Sequence, residues 1–227
     1  MPYKIYSGSI NACEPFLVEV EIDIAGGLPG FLIVGLPDAA VNESRERVRA
    51  AIKNTGIDLP PRKIIINLAP ADMKKEGSSL DLPVAVALLT ALERIPAFFS
   101  KELLFFGEMS LDGALKHTKS VLPVTILAKE KGFRGIVIPM ANYAEAASIP
   151  GISVYAFNNI RDIISEFNSD SALPIKPEKA NSDSNEIIQA SIPAIDFSEI
   201  RGHLHAKRAF EIAASGGHNL LMLWLSC

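Results

Sequence analysis

The sequence predicts an α/β domain of the two-layer α+β kind over residues 1–168 of the 227 residues. Apolar side chains alternate with polar ones along residues 16–24, as in a strand with one buried face. Apolar residues recur at helical spacing along residues 41–52. Short apolar segments that fit buried strands then alternate with further helical patterns, and this arrangement is typical of α/β proteins.

The predicted elements follow one another along the chain. Strands are expected at residues 16–24, 31–34, 63–68, 103–106, 136–138 and 152–156, and helices after residue 38 and at 80–92, 121–131, 142–147 and 160–167. Asp38 is expected to cap the first helix, and Gly56 is expected to end it. The charged segment Glu43–Arg49 is expected to form the solvent face of that helix. Gly132 is expected to end the helix at 121–131.

A change in composition after residue 168 predicts an interdomain linker over residues 169–195. This segment contains three prolines, several Ser and Asn residues, and charges without periodicity. Residues 196–227 are expected to begin a second domain, with a helix at 205–215 that ends at a pair of glycines and a strand at 220–223. Because so few residues follow the linker, we expect this second domain to be truncated.

Composition and charge exclude several classes of protein. Hydrophobic residues make up 48% of the chain and charged residues 21%, so most of the chain is not disordered. The net charge of −4 argues against nucleic-acid binding by the whole surface but allows a local basic patch. Two cysteines and four histidines without ligand spacing predict neither a disulfide framework nor a metal site. With no membrane-spanning segment and no signal peptide, a cytoplasmic protein without membrane contact is expected.

Three segments of the chain together resemble a known family. They read FLIVGLPDAAVNESRERVR at 31–49, INLAPADMKKEGSSLDLPVA at 66–85, and FSEIRGHLHAKRA at 197–209 with GGHNLLM at 216–222. In this order they are similar to the ComM/YifB-type, magnesium-chelatase-like AAA+ ATPases of bacteria. The resemblance implies an N-terminal domain like the Lon protease domain. Its fold would be of the ribosomal-protein/GHMP-kinase type with a left-handed βαβ crossover, and an AAA+ module would follow.

The resemblance also implies a function and cofactors. It implies ATP-driven branch migration of DNA in natural transformation and recombination, with ATP and Mg²⁺ as cofactors and a homo-oligomeric, hexameric working form. Such ATPases bind phosphates with a Gly-x-x-x-x-Gly-Lys-[Ser/Thr] loop after an apolar strand. Residues 223–227 stand at the place of that loop and contain neither glycine nor lysine. We therefore expect this chain to lack ATPase activity. Only Ile200, Arg201 and Gly202 would lie on the adenine side, without tight binding.

The Lon-like segment raises the alternative of a serine peptidase. A Ser-Lys dyad needs a lysine that accepts the proton of the serine hydroxyl. The resemblance places Ser79 at the nucleophile position and Leu122 at the position of the lysine, while Lys116 and Lys119 lie off register. Because leucine cannot accept a proton, we expect a broken dyad and no catalytic residues. A non-catalytic domain for oligomerisation or partner binding is the third interpretation.

Polar residues around Ser79 have structural interpretations. Ser78, Ser79 and Asp81 are expected to cap the helix that follows them. The preceding charged residues are expected to form a solvated loop; they are Asp72, Lys74, Lys75 and Glu76.

The first helix carries a set of basic residues that allows two interpretations. Arg45, Arg47 and Arg49, with Lys53, form either a basic face that contacts phosphates or a solvated face. Because Glu43 and Glu46 neutralise part of this charge, the solvated, ion-paired face is favoured.

Overall fold

The computed structural model describes residues 3–11, 14–169 and 202–222. It divides into two units, Met1–Glu178 and Lys179–Cys227, and each is described by itself. Apart from Ser169, the expected linker at 169–195 lies outside the described residues. Among the residues described, no helix is long and apolar enough to cross a bilayer.

A seven-stranded mixed sheet organises the first unit. The strands are β1 (Tyr3–Asn11), β2 (Glu14–Ala25), β3 (Gly30–Val34), β4 (Lys63–Ala69), β5 (Leu103–Phe105), β6 (Glu108–Met109), β7 (Leu115–Lys116), β8 (Gly135–Pro139) and β9 (Ser153–Phe157). The large sheet has the order β3-β4-β2-β1-β5-β8-β9, and β6 and β7 form a separate hairpin. β2 runs antiparallel to β1 and β4, and the other neighbouring pairs of the large sheet are parallel.

Five α-helices of the first unit confirm the predicted pattern. They are α1 (Ala39–Asn54), α2 (Asp81–Ala91), α3 (Val121–Glu130), α4 (Tyr143–Ala147) and α5 (Ile160–Phe167), with short 3₁₀ turns at Ala97–Lys101 and Met140–Asn142. Asp38 caps α1 as expected, because its Oδ1 accepts a hydrogen bond from the Val41 amide at 2.7 Å. Gly56 and Gly132 follow the ends of α1 and α3 with positive φ, also as expected.

β1 is a central strand that the sequence pattern did not predict. It pairs with β2 along its whole length and with β5 at Tyr6. Its second half contains Ser7, Gly8 and Ser9, all buried, so the apolar alternation that marks β2 is missing. A Cβ at Gly8 would lie 2.8 Å from Cγ1 of Val124. The close approach of α3 therefore explains Gly8.

The helices lie on both faces of the sheet. Phe105, Val137 and Tyr155 belong to one core cluster with residues of α1, α2 and α5. Alternate residues of the same strands, such as Leu104 and Ile136, belong to a second cluster with α3 and α4. The β5-β8-β9 half is therefore covered on both faces, as its continuous apolar segments require. β2 is also covered on both faces, because Leu17 packs against the cluster of α3 and α4. At the β3 edge, alternate residues such as Leu32 are exposed, and this edge has the expected two-layer arrangement.

The described part of the second unit consists of one helix and a short segment after it. The helix α6 (Leu204–Gly216) confirms the helix expected at 205–215, and Gly217 follows it in the left-handed region. Leu220–Met222 are not part of a strand, so this portion of the strand expected at 220–223 is wrong. A strand needs a neighbour with which to pair, and the described residues of this unit provide none.

Candidate functional site

A polar cleft of about 710 Å³ lies at the carboxyl ends of β1 and β5, beside the start of α2. Ligands of open α/β sheets bind outside the carboxyl ends of parallel strands, so this is a favoured position for a site. The lining residues come from β1, the loop before α2, the β5–β6 segment and the segment before α3. They are Ser9, Ile10, Asp38, Glu76, Gly77, Ser78, Ser79, Phe106, Glu108, His117, Thr118, Lys119 and Ser120.

The structure places Ser79 in this cleft. Ser79 is half-buried and its backbone carbonyl accepts a hydrogen bond from the Gly107 amide at 2.9 Å. Leu122 lies in the first turn of α3 and donates its amide to Glu145 Oε1 at 3.1 Å. Lys119 lines the same cleft as Ser79. None of the side-chain hydrogen bonds found among the described residues involves the Ser79 hydroxyl.

The expected capping of α2 by Ser78, Ser79 and Asp81 is wrong. α2 has Leu80 at its N-cap position and no side chain that caps it. The main chain already occupies the first amides, because Asp81 N donates to Ser78 O at 3.1 Å and Leu82 N donates to Gly107 O at 3.0 Å. The third helical residue is a proline and has no amide hydrogen. The side chains near the start of α2 are therefore available for other contacts.

Ser78 links the start of α2 to the opposite wall of the cleft. Its hydroxyl donates to the Glu108 carboxylate, and the Glu108 amide donates to Thr118 Oγ1 at 3.0 Å. Thr118 is in turn held by the buried Asn142, which accepts from the Thr118 amide and donates to its carbonyl, both at 2.9 Å. Side-chain hydrogen bonds thus fix the relative positions of the cleft walls.

Asp81 is fully buried and joins α1, α2 and β6. Its carboxylate accepts hydrogen bonds from the Ser44 hydroxyl, from Arg47 Nε at 2.8 Å and Arg47 Nη2 at 3.0 Å, and from the Met109 amide at 3.3 Å. Burial raises the pKa of Asp81, while the hydrogen bonds and the charge of Arg47 oppose this rise. The hydrogen bond to Asp81 raises the pKa of Arg47. Arg47 therefore lies against the core, and the expectation that it faces solvent is wrong.

Lys75 is the second charged residue whose expected exposure is wrong. It is fully buried, and its Nζ donates to Gly35 O at 3.1 Å and to Pro70 O. Burial lowers the pKa of Lys75, and the charge of Asp72 opposes this shift. The other residues of the expected solvated loop are exposed; they are Asp72, Lys74 and Glu76. Lys75 therefore joins two loops through their carbonyl groups.

Asp38 connects α1 with the loop that lines the cleft. Besides capping α1, it accepts the Gly77 amide at Oδ2 at 3.1 Å. Its own amide donates to Lys75 O at 3.0 Å. The side chain and the backbone of Asp38 thus both hold the loop before α2.

The structure divides the basic set of α1 into paired and unpaired cations. Arg45 pairs with Glu46 at 3.0 Å, and Arg47 pairs with Asp81. Arg49 and Lys53 are exposed and form no ion pair with any residue in the described ranges. The favoured interpretation of an ion-paired solvated face thus fits Arg45, whereas Arg49 and Lys53 remain candidates for contact with an anion.

The positions that the resemblance places on the adenine side lie mostly outside the described residues. Ile200 and Arg201 lie outside the described residues, and Gly202 is exposed with a φ of +76°. The 227-residue sequence contains no Gly-x-x-x-x-Gly-Lys-[Ser/Thr] segment. In the described part of the chain, no group of three or more His, Cys, Asp or Glu side chains could hold a metal ion.

Comparisons with known proteins agree with this architecture. The family described as subunit ChlI of Mg-chelatase matches residues 20–142, more than half of the chain. A second description, magnesium chelatase, subunit ChlI, matches residues 196–225. The fold and the cleft define an α/β domain that is also similar to part of Lon protease 2 of Bacillus subtilis. That similarity is 27% identity over 124 residues, which are 54% of this chain and 22% of the relative.

The chain belongs to the magnesium-chelatase ChlI family, in its ComM/YifB-type branch. It is 36% identical to the competence protein ComM of Haemophilus influenzae over 219 residues, which are 96% of this chain and 42% of the relative. It is 37% identical to the protein YifB of Escherichia coli K12 over 206 residues, which are 91% of this chain and 39% of the relative. The chain therefore spans about two fifths of the length of these relatives.

Proposed function

We propose that this chain is the N-terminal part of a ComM/YifB-type AAA+ ATPase that drives branch migration of DNA in transformation and recombination. The observation that carries the proposal is the match to competence protein ComM across 96% of the chain. The second ChlI match, at residues 196–225, supports an ATPase module that begins after the first unit. The working form is a cytoplasmic homo-oligomer, a hexamer in the full-length family.

In this proposal, ATP and Mg²⁺ bind to the part of the relatives' length that this chain does not span. Residues 1–227 lack the phosphate-binding sequence, so a polypeptide of these residues does not hydrolyse ATP. Ile200, Arg201 and Gly202 contribute at most contacts on the adenine side. The first unit acts as a rigid platform, and the hydrogen bonds of Ser78, Asp81 and Asn142 support this role.

A nucleotide titration of two polypeptides tests the proposal. One contains residues 1–227, and the other extends to the full length of the relatives. We expect ATP binding and DNA-stimulated ATP hydrolysis only in the longer polypeptide. Micromolar ATP binding by the 227-residue polypeptide would contradict the assignment of the nucleotide site to the part of the relatives that this chain does not span. A longer polypeptide that neither binds nor hydrolyses ATP would contradict the proposed function itself.

A Lon-like serine peptidase is the alternative, favoured by the presence of Ser79 and Lys119 in one cleft. Leu122, at the position where the family resemblance places the dyad lysine, supports a non-catalytic unit instead, because leucine cannot accept a proton. Casein digestion by the wild-type protein, with Ser79→Ala and Lys119→Gln as controls, separates the two functions. We expect no cleavage by any of the three proteins, and cleavage that is lost in both variants would establish the peptidase.

A further inference from the structure

The solvent side of α1 carries a line of cations. Arg45, Arg49 and Lys53 are four residues apart, so they lie above one another on one side of the helix. At 1.5 Å of rise per residue, the line is about 12 Å long. Like charges at this spacing destabilise an isolated helix by about 0.2–0.5 kcal/mol per pair. A polyanion that binds along this line would relieve that repulsion.

Arg62 adds a cation from the other side of a groove. Arg49 and Arg62 line a groove of about 330 Å³ with Leu59, Pro60 and Pro61. Because proline fixes its own φ, the two prolines restrict the backbone just before Arg62.

A second groove of about 430 Å³ extends the first along α1. Arg49 and Lys53 line it, together with Glu46 and Asp58. We call Arg49, Lys53 and Arg62 the α1 basic patch. All three residues are exposed, and none forms an ion pair with a residue in the described ranges.

We propose that the α1 basic patch binds the phosphates of the sugar-phosphate backbone of duplex DNA. The choice of DNA as the ligand rests on the proposed function, whereas the choice of an anion rests on the unpaired cations of the patch. Glu46 and Asp58 flank the patch, so it offers a narrow line of positive charge rather than a broad basic surface. Arg49 and Lys53 are about 6 Å apart along the helix axis, so a DNA strand that carries a phosphate about every 3.4 Å of axis can place one near each of them.

The contact is independent of base sequence. The patch consists of side chains that pair with phosphate oxygens, and the groove is otherwise lined mainly by proline, leucine and glycine. Phosphate contacts position a protein on DNA but do not read bases. We therefore expect the same affinity for duplexes of unrelated sequence.

Fluorescence anisotropy with a labelled duplex of about 20 base pairs tests the patch, without nucleotide, at about 50 to 200 mM salt. Three phosphate contacts predict a log–log salt slope near −2.7, which lowers the affinity about 40-fold over this range. The variant Arg49→Gln/Lys53→Gln/Arg62→Gln is expected to lose at least about tenfold in affinity at the lowest salt and most of the slope.

A control variant carries the same change of charge elsewhere. Lys116→Gln/Lys129→Gln/Lys131→Gln replaces three exposed lysines of the same unit. We expect it to bind the duplex within about twofold of the wild type, with an unchanged slope, because these lysines do not contact the phosphates. Thermal unfolding of both variants by circular dichroism verifies that each is folded.

Four outcomes would overturn the proposal. They are equal loss of affinity in both variants, no binding by the wild type at the lowest salt, tighter binding of poly-glutamate than of duplex DNA, and preference for an RNA duplex. The assay does not involve ATP. A negative result therefore contradicts DNA binding by the α1 basic patch and does not bear on the proposed ATPase. A longer polypeptide without ATP turnover would contradict the proposed ATPase and would not bear on the patch.

Discussion

The two sides of α1 use the same residue type in opposite ways. Arg47 packs against α2 and binds the buried Asp81 through two nitrogens, and its side chain is 23% exposed. Arg49, two residues later, is exposed and has no ion-pair partner in the described ranges. Two residues correspond to about 200° of rotation around a helix, so these arginines lie on opposite sides. The residues that face each arginine therefore decide whether its role is structural.

Lys74 and Lys75 show the same contrast within a loop. Lys74 is exposed and pairs with Glu76 at 2.8 Å, whereas Lys75 is buried and donates to two backbone carbonyls. In both pairs, the inward side chain donates to acceptors that the sequence does not identify. The inward cations should therefore control stability, and the outward cations should control binding.

Loss of Asp81 is expected to have the largest effect on stability. Asp81→Ala leaves Arg47 without its partner in a partly buried position, and it removes the acceptor for Ser44 and the Met109 amide. Removing one partner of a buried ion pair costs about 3–5 kcal/mol, and we expect about 3 kcal/mol here because Arg47 is partly exposed. Urea unfolding measures this change. In Asp58→Ala, an exposed control, we expect less than about 0.5 kcal/mol.

Loss of Lys75 is expected to have the next largest effect. Lys75→Met removes the hydrogen bonds to the Gly35 and Pro70 carbonyls, and hydrogen bonds that involve a charged group contribute about 1.5–3 kcal/mol. We expect a loss of about 2–3 kcal/mol in the free energy of unfolding. The exposed neighbour provides the control, since Lys74→Met should change stability by less than about 0.5 kcal/mol. Equal effects of the two substitutions would remove the contrast between these lysines.

The pH dependence of stability tests the burial of Lys75 separately. Its folded-state pKa is lowered from the ordinary value of 10.5, so the unfolded chain binds more protons between the two pKa values. The free energy of unfolding contributed by Lys75 therefore rises with pH across this window and levels off above 10.5. Wild-type and Lys75→Met unfolding curves at several alkaline pH values should show a widening stability gap. A gap that is constant with pH would indicate that burial does not affect this amine.

A smaller effect is expected at the open face of the sheet. Lys4 bridges Glu19 at 3.0 Å and Glu21 at 2.8 Å, and its hydrogen bond is the largest cause of the lowered pKa of Glu21. Exposed ion pairs contribute little to stability, so Lys4→Gln should cost less at neutral pH than either Asp81→Ala or Lys75→Met. The contribution of Glu21 is present above its unfolded-state pKa and is lost as pH falls through its folded-state pKa. Acid titrations of stability should therefore converge for the wild type and the variant.

The sequence predicts the parts of the fold whose burial is periodic. β2 has one buried face made by Val18, Val20 and Ile22, and that alternation is visible in the sequence. β1 lies beside it but contains the buried Ser7, Gly8 and Ser9, of which Gly8 lies against α3, so its burial leaves no apolar pattern. Helix positions were predicted well because apolar spacing, Asp38 and the terminal glycines mark them.

The candidate site was predicted in part. The family resemblance located Ser79, and the structure places it in a cleft with Lys119. The roles of Asp81, Arg47 and Lys75 depend on partners that are distant in sequence, such as Gly35 for Lys75, so no local pattern could assign them. One local signal for a buried partner is present in the sequence. Asp81 is the first residue of the apolar helix α2, and an aspartate is rarely buried without a partner.

A paired measurement on Arg47→Gln and Arg49→Gln tests most directly whether the inward arginine stabilises the fold and the outward arginine binds phosphates. The two variants change the same charge on the same helix. Arg47→Gln is expected to lose about 3 kcal/mol of unfolding free energy, because it leaves the buried Asp81 carboxylate without its cation, and to keep its duplex affinity at low salt. Arg49→Gln is expected to stay within about 0.5 kcal/mol of wild-type stability and to lose about one unit of the log–log salt slope. Equal losses of stability, or an unchanged salt slope in Arg49→Gln, would contradict the account.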